Sequence, residues 1–239
     1  MMLKGFEPHV VIGHPSSRLT AFVHPERVVD PAKPNIILHA SQVAGKQALV
    51  TPTVKAFAKQ FKAPRNLSSV QRIVDGIRDQ ISWKNASLDE AQHLYAQRTA
   101  TDIIHSRKVL VLPPAERAKL CDIRGCVDYG LALVATLRAK RIPADFARRG
   151  QRTLVFFKFG GKDYFVDPRR HAKDPEIHEL SGMEGRIFQQ KAIAGGFGRG
   201  ADAWDIGMKG VADYNKYVGP TDAMFMESPH MSPFKPRKG

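Results

Sequence analysis

The sequence predicts an α+β domain in which helices pack against an antiparallel sheet. Three observations lead there. Val70, Ile73, Val74, Ile77 and Ile81 recur at helical spacing, and so do Val127, Leu131, Val134 and Leu137. From Ala144 to Asp167 the pattern changes to three short β-prone runs, at roughly 144–149, 152–159 and 162–167. Gly160-Gly161 separates the last two as a hairpin turn of the kind whose twist matches its strands.

In chain order, residues 1–66 read as an N-terminal extension. Val10-Val11-Ile12, Leu19 to Val23 and Ile36-Ile37-Leu38 are short apolar pieces divided by Pro, Gly, Asn and Asp, which suits short strands or extended arms. His9, His14, His24 and His39 follow no zinc-ligand spacing and read as turn residues, so no metal and no cofactor is expected. Thr53 to Phe61 reads as a short basic helix. Residues 67–168 read as the core. Ser68 or Ser69 caps its first helix and Trp83 closes the apolar stripe. Ser87 and Glu90 form a capping box for a second helix reaching about Ser106. Val109 to Leu112 followed by Pro113-Pro114 marks a break, and Ala115 to Leu120 a further helical turn. Residues 169–239 read as a C-terminal extension with one helix within Pro175 to Ile193. Gly195-Gly196-Phe197-Gly198-Arg199-Gly200 lacks both the preceding strand and the following Lys-Ser or Lys-Thr of a phosphate loop, and reads as a flexible joint. The end, with Met224, Phe225, Met226, Met231 and Phe234, reads as disordered or as ordered only on a partner.

The chemistry concentrates at Gly125-Cys126. The glycine permits a sharp turn, and Cys126 then opens an apolar helix. A thiol there feels the positive end of the helix dipole, which favours the thiolate and prepares a nucleophile. Arg138 and Lys140 suit the other end of the dipole, and Ile142-Pro143 ends the helix. Cys121 reads as a packing residue or bystander.

This segment resembles the transglutaminase-like superfamily, the papain-related cysteine fold. The resemblance rests on the Gly-Cys helix start, on Leu137-Arg138-Ala139-Lys140-Arg141-Ile142-Pro143-Ala144, in which Arg141 stands where the family has glycine, and on Val166-Asp167-Pro168 at a strand end. It spans roughly residues 67–168. It implies a transglutaminase-like or papain-like core, with Cys126 as nucleophile, Asp167 as the residue that orients a base, and a histidine opening the strand before Asp167.

That strand, Gln151 to Phe159, contains no histidine. If Phe159 pairs with Lys162, then Leu154 lies opposite Asp167, and Arg152, Leu154 and Phe156 share its face. Arg152 then takes the place of the imidazole. Arginine stays protonated and cannot serve as a general base. A base would have to come from elsewhere, with His171 and His105 as the candidates.

The 239 residues are 43% hydrophobic, ordinary for a globular chain. Two cysteines make no disulfide scaffold and suit a cytoplasmic setting or a particle assembled there. The first residues do not read as a signal peptide, and no run approaches the length of a spanning helix, so no membrane partner is expected. Lys and Arg number 37 against 23 Asp and Glu, a net charge of +14, which points to an acidic partner, either a protein surface or a nucleic acid. Two readings follow. One is a divergent domain with an incomplete Cys-His-Asp set, acting as a binding or assembly module of unspecified oligomeric state. The other is a cysteine peptidase, amidase or acyltransferase that forms a thioester on Cys126 with a histidine supplied from elsewhere.

Overall fold

The computed structural model describes residues 45–117, 123, 125–168, 177–183, 185 and 197–214. The expected strands and histidines before residue 45, Cys121, His171, most of the 175–193 helix and the Met-rich end lie outside them.

The first helix, α1 (Pro52–Lys59), starts with Thr51 as N-cap and proline in its first turn. α2 (Leu67–Gln80) carries the Val70–Ile77 stripe, but its cap is Asn66. Ser69 completes the capping box three residues later, its hydroxyl accepting from the Asn66 amide at 3.0 Å. The single helix expected from 88 to 106 is two: α3 (Leu88–Leu94) and α4 (Ala100–Ser106). Ala96 adopts a left-handed backbone between them. Thr99 with Asp102 then forms a second capping box, a signal present in the sequence.

Two short strands, β1 (Ser82–Asn85) and β2 (Lys108–Val111), pair in parallel beside α4 and precede the short α5 (Pro114–Arg117). The long helix α6 (Cys126–Ala139) is buried from Cys126 through Leu137, as a helix apolar on all sides must be. It packs on β3 (Ala144–Arg149) and β4 (Arg152–Phe159), with α1, α2 and α4 around it. β5 (Lys162–Val166), β6 (His178–Glu179) and β7 (Phe197–Gly200) complete a five-stranded antiparallel sheet in the order β6-β5-β4-β3-β7. The protein is thus α+β, with the cysteine-bearing helix laid on an antiparallel sheet. Phe159 pairs with Lys162, the register the hairpin turn implies. The last part of the glycine-rich stretch expected as a joint, Phe197–Gly200, is instead an edge strand on β3.

The apolar core extends on both sides of residues 67–168. Ala48, Val54 and Phe57 enter it from the N-terminal side, and Ala203, Ile206, Met208 and Tyr214 from the C-terminal side. The Asp202 carboxylate accepts from the Gln47 amide at 2.7 Å, joining the two flanks directly. Among the described residues no helix is long and apolar enough to cross a membrane.

Candidate functional site

α6 begins abruptly. Gly125 has φ 73°, in the left-handed region, and a Cβ there would sit 2.8 Å from Val109 Cγ2. Only glycine meets both conditions at low cost. The turn delivers Cys126 to the first position of the helix, with its residue 5% exposed. Two residues on, Asp128 is buried and locks this end in place. It accepts from the Leu110 amide at 2.9 Å and pairs with Arg98 at 2.8 Å. Burial raises the Asp128 carboxyl above the ordinary carboxylate range, although Arg98 and the Leu110 amide pull the other way.

The sheet supplies the partner of the thiol. Ala144, Phe146 and Arg148 alternate onto the α6 side of β3, and Arg148 is paired across the strands with Thr153 of β4. Gly130 allows the close approach: a Cβ on it would lie 2.7 Å from Thr153 Cγ2 and 3.1 Å from Phe146. Arg148 is 0% exposed. Its Nη1 donates to Cys126 Sγ at 3.6 Å and to Thr153 Oγ1 at 3.2 Å, and its Nη2 donates to the Tyr214 carbonyl at 3.4 Å. Its guanidinium carbon lies 5.0 Å from the Tyr214 ring centroid, a cation–π contact, and the Tyr95 ring lies 5.8 Å from that of Tyr214. Burial opposes this charge, but the ionisable groups of Tyr95, Cys126 and Tyr214 and the hydrogen bond to the thiol outweigh it, so Arg148 is held above the ordinary arginine range. Arg148 Nε has no hydrogen-bond partner among the described residues. A recess of about 10 Å³, room for one water-sized molecule, lies beside the thiol. Residues 125–128, with Tyr95, Leu110 and Ile123, line it, and Asp128 is its one carboxyl.

The sequence-derived candidates fall in different places. Cys126 lies at the centre. The arginine at the thiol is Arg148, while Arg152 is exposed and paired in register with Arg149. Arg152 shares its face with Leu154 and Phe156, which belong to a second apolar cluster with Phe165, Leu180 and Phe197 on the side of the sheet away from α6. Asp167 is half-buried just past β5, its carbonyl accepting from Arg78 Nη2 of α2 at 2.9 Å, and its charge acts on that arginine. His105 is exposed on α4. The signal for Arg148 was its alternation with Phe146, two residues earlier on the same strand face.

No family model matches the chain, and no curated protein matches it. A solved structure of a candidate cysteine protease from Cytophaga hutchinsonii is similar to this chain at 20% identity and a TM-score of 0.42, covering 71% of this chain and 47% of its own. This chain thus spans about half the length of that structure.

Proposed function

We propose that this chain is a divergent transglutaminase-like module that binds a partner and does not cleave or transfer amides. The observation that carries the reading is the guanidinium at the thiol. Amide chemistry on a cysteine needs a group that takes a proton and returns it to the leaving amine. Arg148 holds its proton throughout. The 5% exposure of Cys126 and the small recess also argue against a peptide-sized acyl donor. The net charge of +14 supports an acidic partner, and the two-cysteine composition supports a cytoplasmic setting.

The test is incubation of the Cys121→Ser protein with glutamine-containing peptides and peptide anilides, followed by intact mass. The expected result is no acyl adduct on Cys126, and an accumulating thioester overturns the reading.

A further inference from the structure

We propose that the exposed side of α1, the loop 60–66 and the C-terminal end of α6 form one basic face that binds the phosphate backbone of a nucleic-acid duplex without regard to sequence. This names the partner of the binding role proposed above and rests on that reading. From Gly45 to Val74 six Lys and Arg stand without one Asp or Glu. In α1 the exposed positions include Lys55, Ala56, Lys59 and Gln60, the spacing of one side of a helix, and Lys62 and Arg65 continue the exposed run into the loop. The fold adds cations from a distant part of the chain. Lys140, the C-cap of α6, donates to the Phe61 carbonyl, which brings the end of α6, with exposed Arg141, to the same loop. None of Lys55, Lys59, Lys62, Arg65 or Arg141 pairs with a carboxylate among the described residues. The acids that follow in the chain are engaged with other arginines: Asp75 with Arg78 at 3.6 Å and Asp145 with Arg199 at 2.7 Å.

Arg141 supplies a second, independent observation. Its φ of 63° lies in the left-handed region, where an arginine is held at a cost in stability that a glycine does not meet. Its side chain makes no hydrogen bond or ion pair among the described residues that offsets this. A strained position that keeps an unpaired cation points to a ligand for that cation. The surroundings select which one. The exposed positions of α1 and its loop are Pro, Ala, Lys, Arg, Gln and Asn, with no large apolar side chain. A helix lying in a bilayer surface needs an apolar side to bury. A protein interface needs aromatic or aliphatic anchors near its centre. Phe57 is buried, and Phe61 packs on α2 so closely that a Cβ on Gly76 would sit 2.4 Å from its ring. The face therefore offers no ring for stacking on the bases of a single strand. What it does offer, Lys and Arg interspersed with Gln and Asn, are the side chains that contact duplex phosphates.

The experiment titrates the full chain into a short fluorescent DNA duplex of mixed sequence and follows anisotropy from about 50 to 200 mM salt. The expected result is binding that weakens steeply with salt and is alike for two unrelated sequences. The triple variant Lys55→Gln, Lys59→Gln, Lys62→Gln should lose at least about tenfold in affinity at the low-salt end. Its slope of log affinity against log salt should flatten by about two to three, near one per lost phosphate contact. A control triple, Lys84→Gln, Lys162→Gln, Lys209→Gln, removes the same charge from exposed positions on other elements and should change affinity by less than about twofold. Arg141→Gly should weaken binding and flatten the slope by about one while the melting temperature rises, a split that a purely structural arginine does not give. Absence of duplex binding at the low-salt end overturns the inference, as does an equal loss in the two triples. Polyglutamate bound as tightly as the duplex at equal charge overturns it in favour of an acidic protein. Binding to phosphatidylserine vesicles without binding to the duplex overturns it in favour of an anionic membrane. The amide assay on Cys126 is read separately: a thioester there overturns the non-catalytic binding role itself, whereas a failed duplex titration overturns only the choice of partner and face.

Discussion

A guanidinium removed from water must find its hydrogen bonds inside the protein, and each one it loses is expensive. Arg148 takes acceptors from three elements: sulfur from α6, a hydroxyl from β4 and the carbonyl of Tyr214. Thr153→Val keeps the shape but removes the hydroxyl acceptor. It should destabilise the fold by about 1–3 kcal/mol, while Thr153→Ser stays close to the native value; urea unfolding checks both. The same scale holds a second arginine in an unusual place. Arg141 follows the C-cap of α6 with φ 63°. The Ile142 amide bonds to the Leu137 carbonyl and the Arg141 amide to the Arg138 carbonyl, both at 2.9 Å, which is the Schellman ending that favours glycine. Arg141→Gly should raise stability by about 1 kcal/mol, read as a higher melting temperature. Asp128 gives a pH dependence. Its folded carboxyl binds its proton more tightly than the unfolded one, because burial outweighs Arg98 and the Leu110 amide. Its contribution to stability is therefore full below the unfolded value of about 3.9 and is lost as pH rises through the raised folded value. Asp128→Asn lacks that loss, so its stability relative to the native chain should improve as pH rises across this window, measured by urea unfolding at several pH values.

At the scale of elements, the site exists because α6 lies close on β3 and β4 at Gly130. Gly130→Ala places a methyl 2.7 Å from Thr153 Cγ2, with backbone-anchored Phe146 behind it. It should cost about 1–3 kcal/mol and loosen the Arg148–Cys126 pair, seen as faster exchange of the Arg148 side-chain protons by NMR. What the sequence showed and hid divides along physical lines here. Strands β3, β4 and β5 and their register were legible, since each has a β-prone run and a glycine turn fixes the pairing. The face toward α6 was not legible. Val155 and Phe157 are buried on one side, Leu154 and Phe156 on the other, so the run is apolar throughout and alternation does not say which side meets the helix. That ambiguity directed attention to Arg152 and away from Arg148. β1, β2 and β7 are each four residues long and pair only with partners distant in the chain, which leaves little local pattern to read. The break between α3 and α4 was readable from Thr99 and Asp102.

For the whole molecule, the arrangement is a nearly fully buried helix held between a sheet and surrounding helices, with both flanking segments closing over the same core. The effect of the net charge of +14 on association is open to direct test. Binding to polyglutamate or single-stranded DNA should weaken steeply as salt rises, the mark of an electrostatic partner. A flat salt response would separate the charge from any binding role. The central claim, that the partner of the Cys126 thiol is a guanidinium and not an imidazole, is tested most directly by a pH titration of the thiolate ultraviolet absorbance. The protein is Cys121→Ser, with the Cys126→Ala spectrum subtracted. A guanidinium does not titrate in the accessible range, so the account predicts a single step. Two steps, one of them near the histidine value of about 6.5, would place an imidazole at the sulfur and contradict the account.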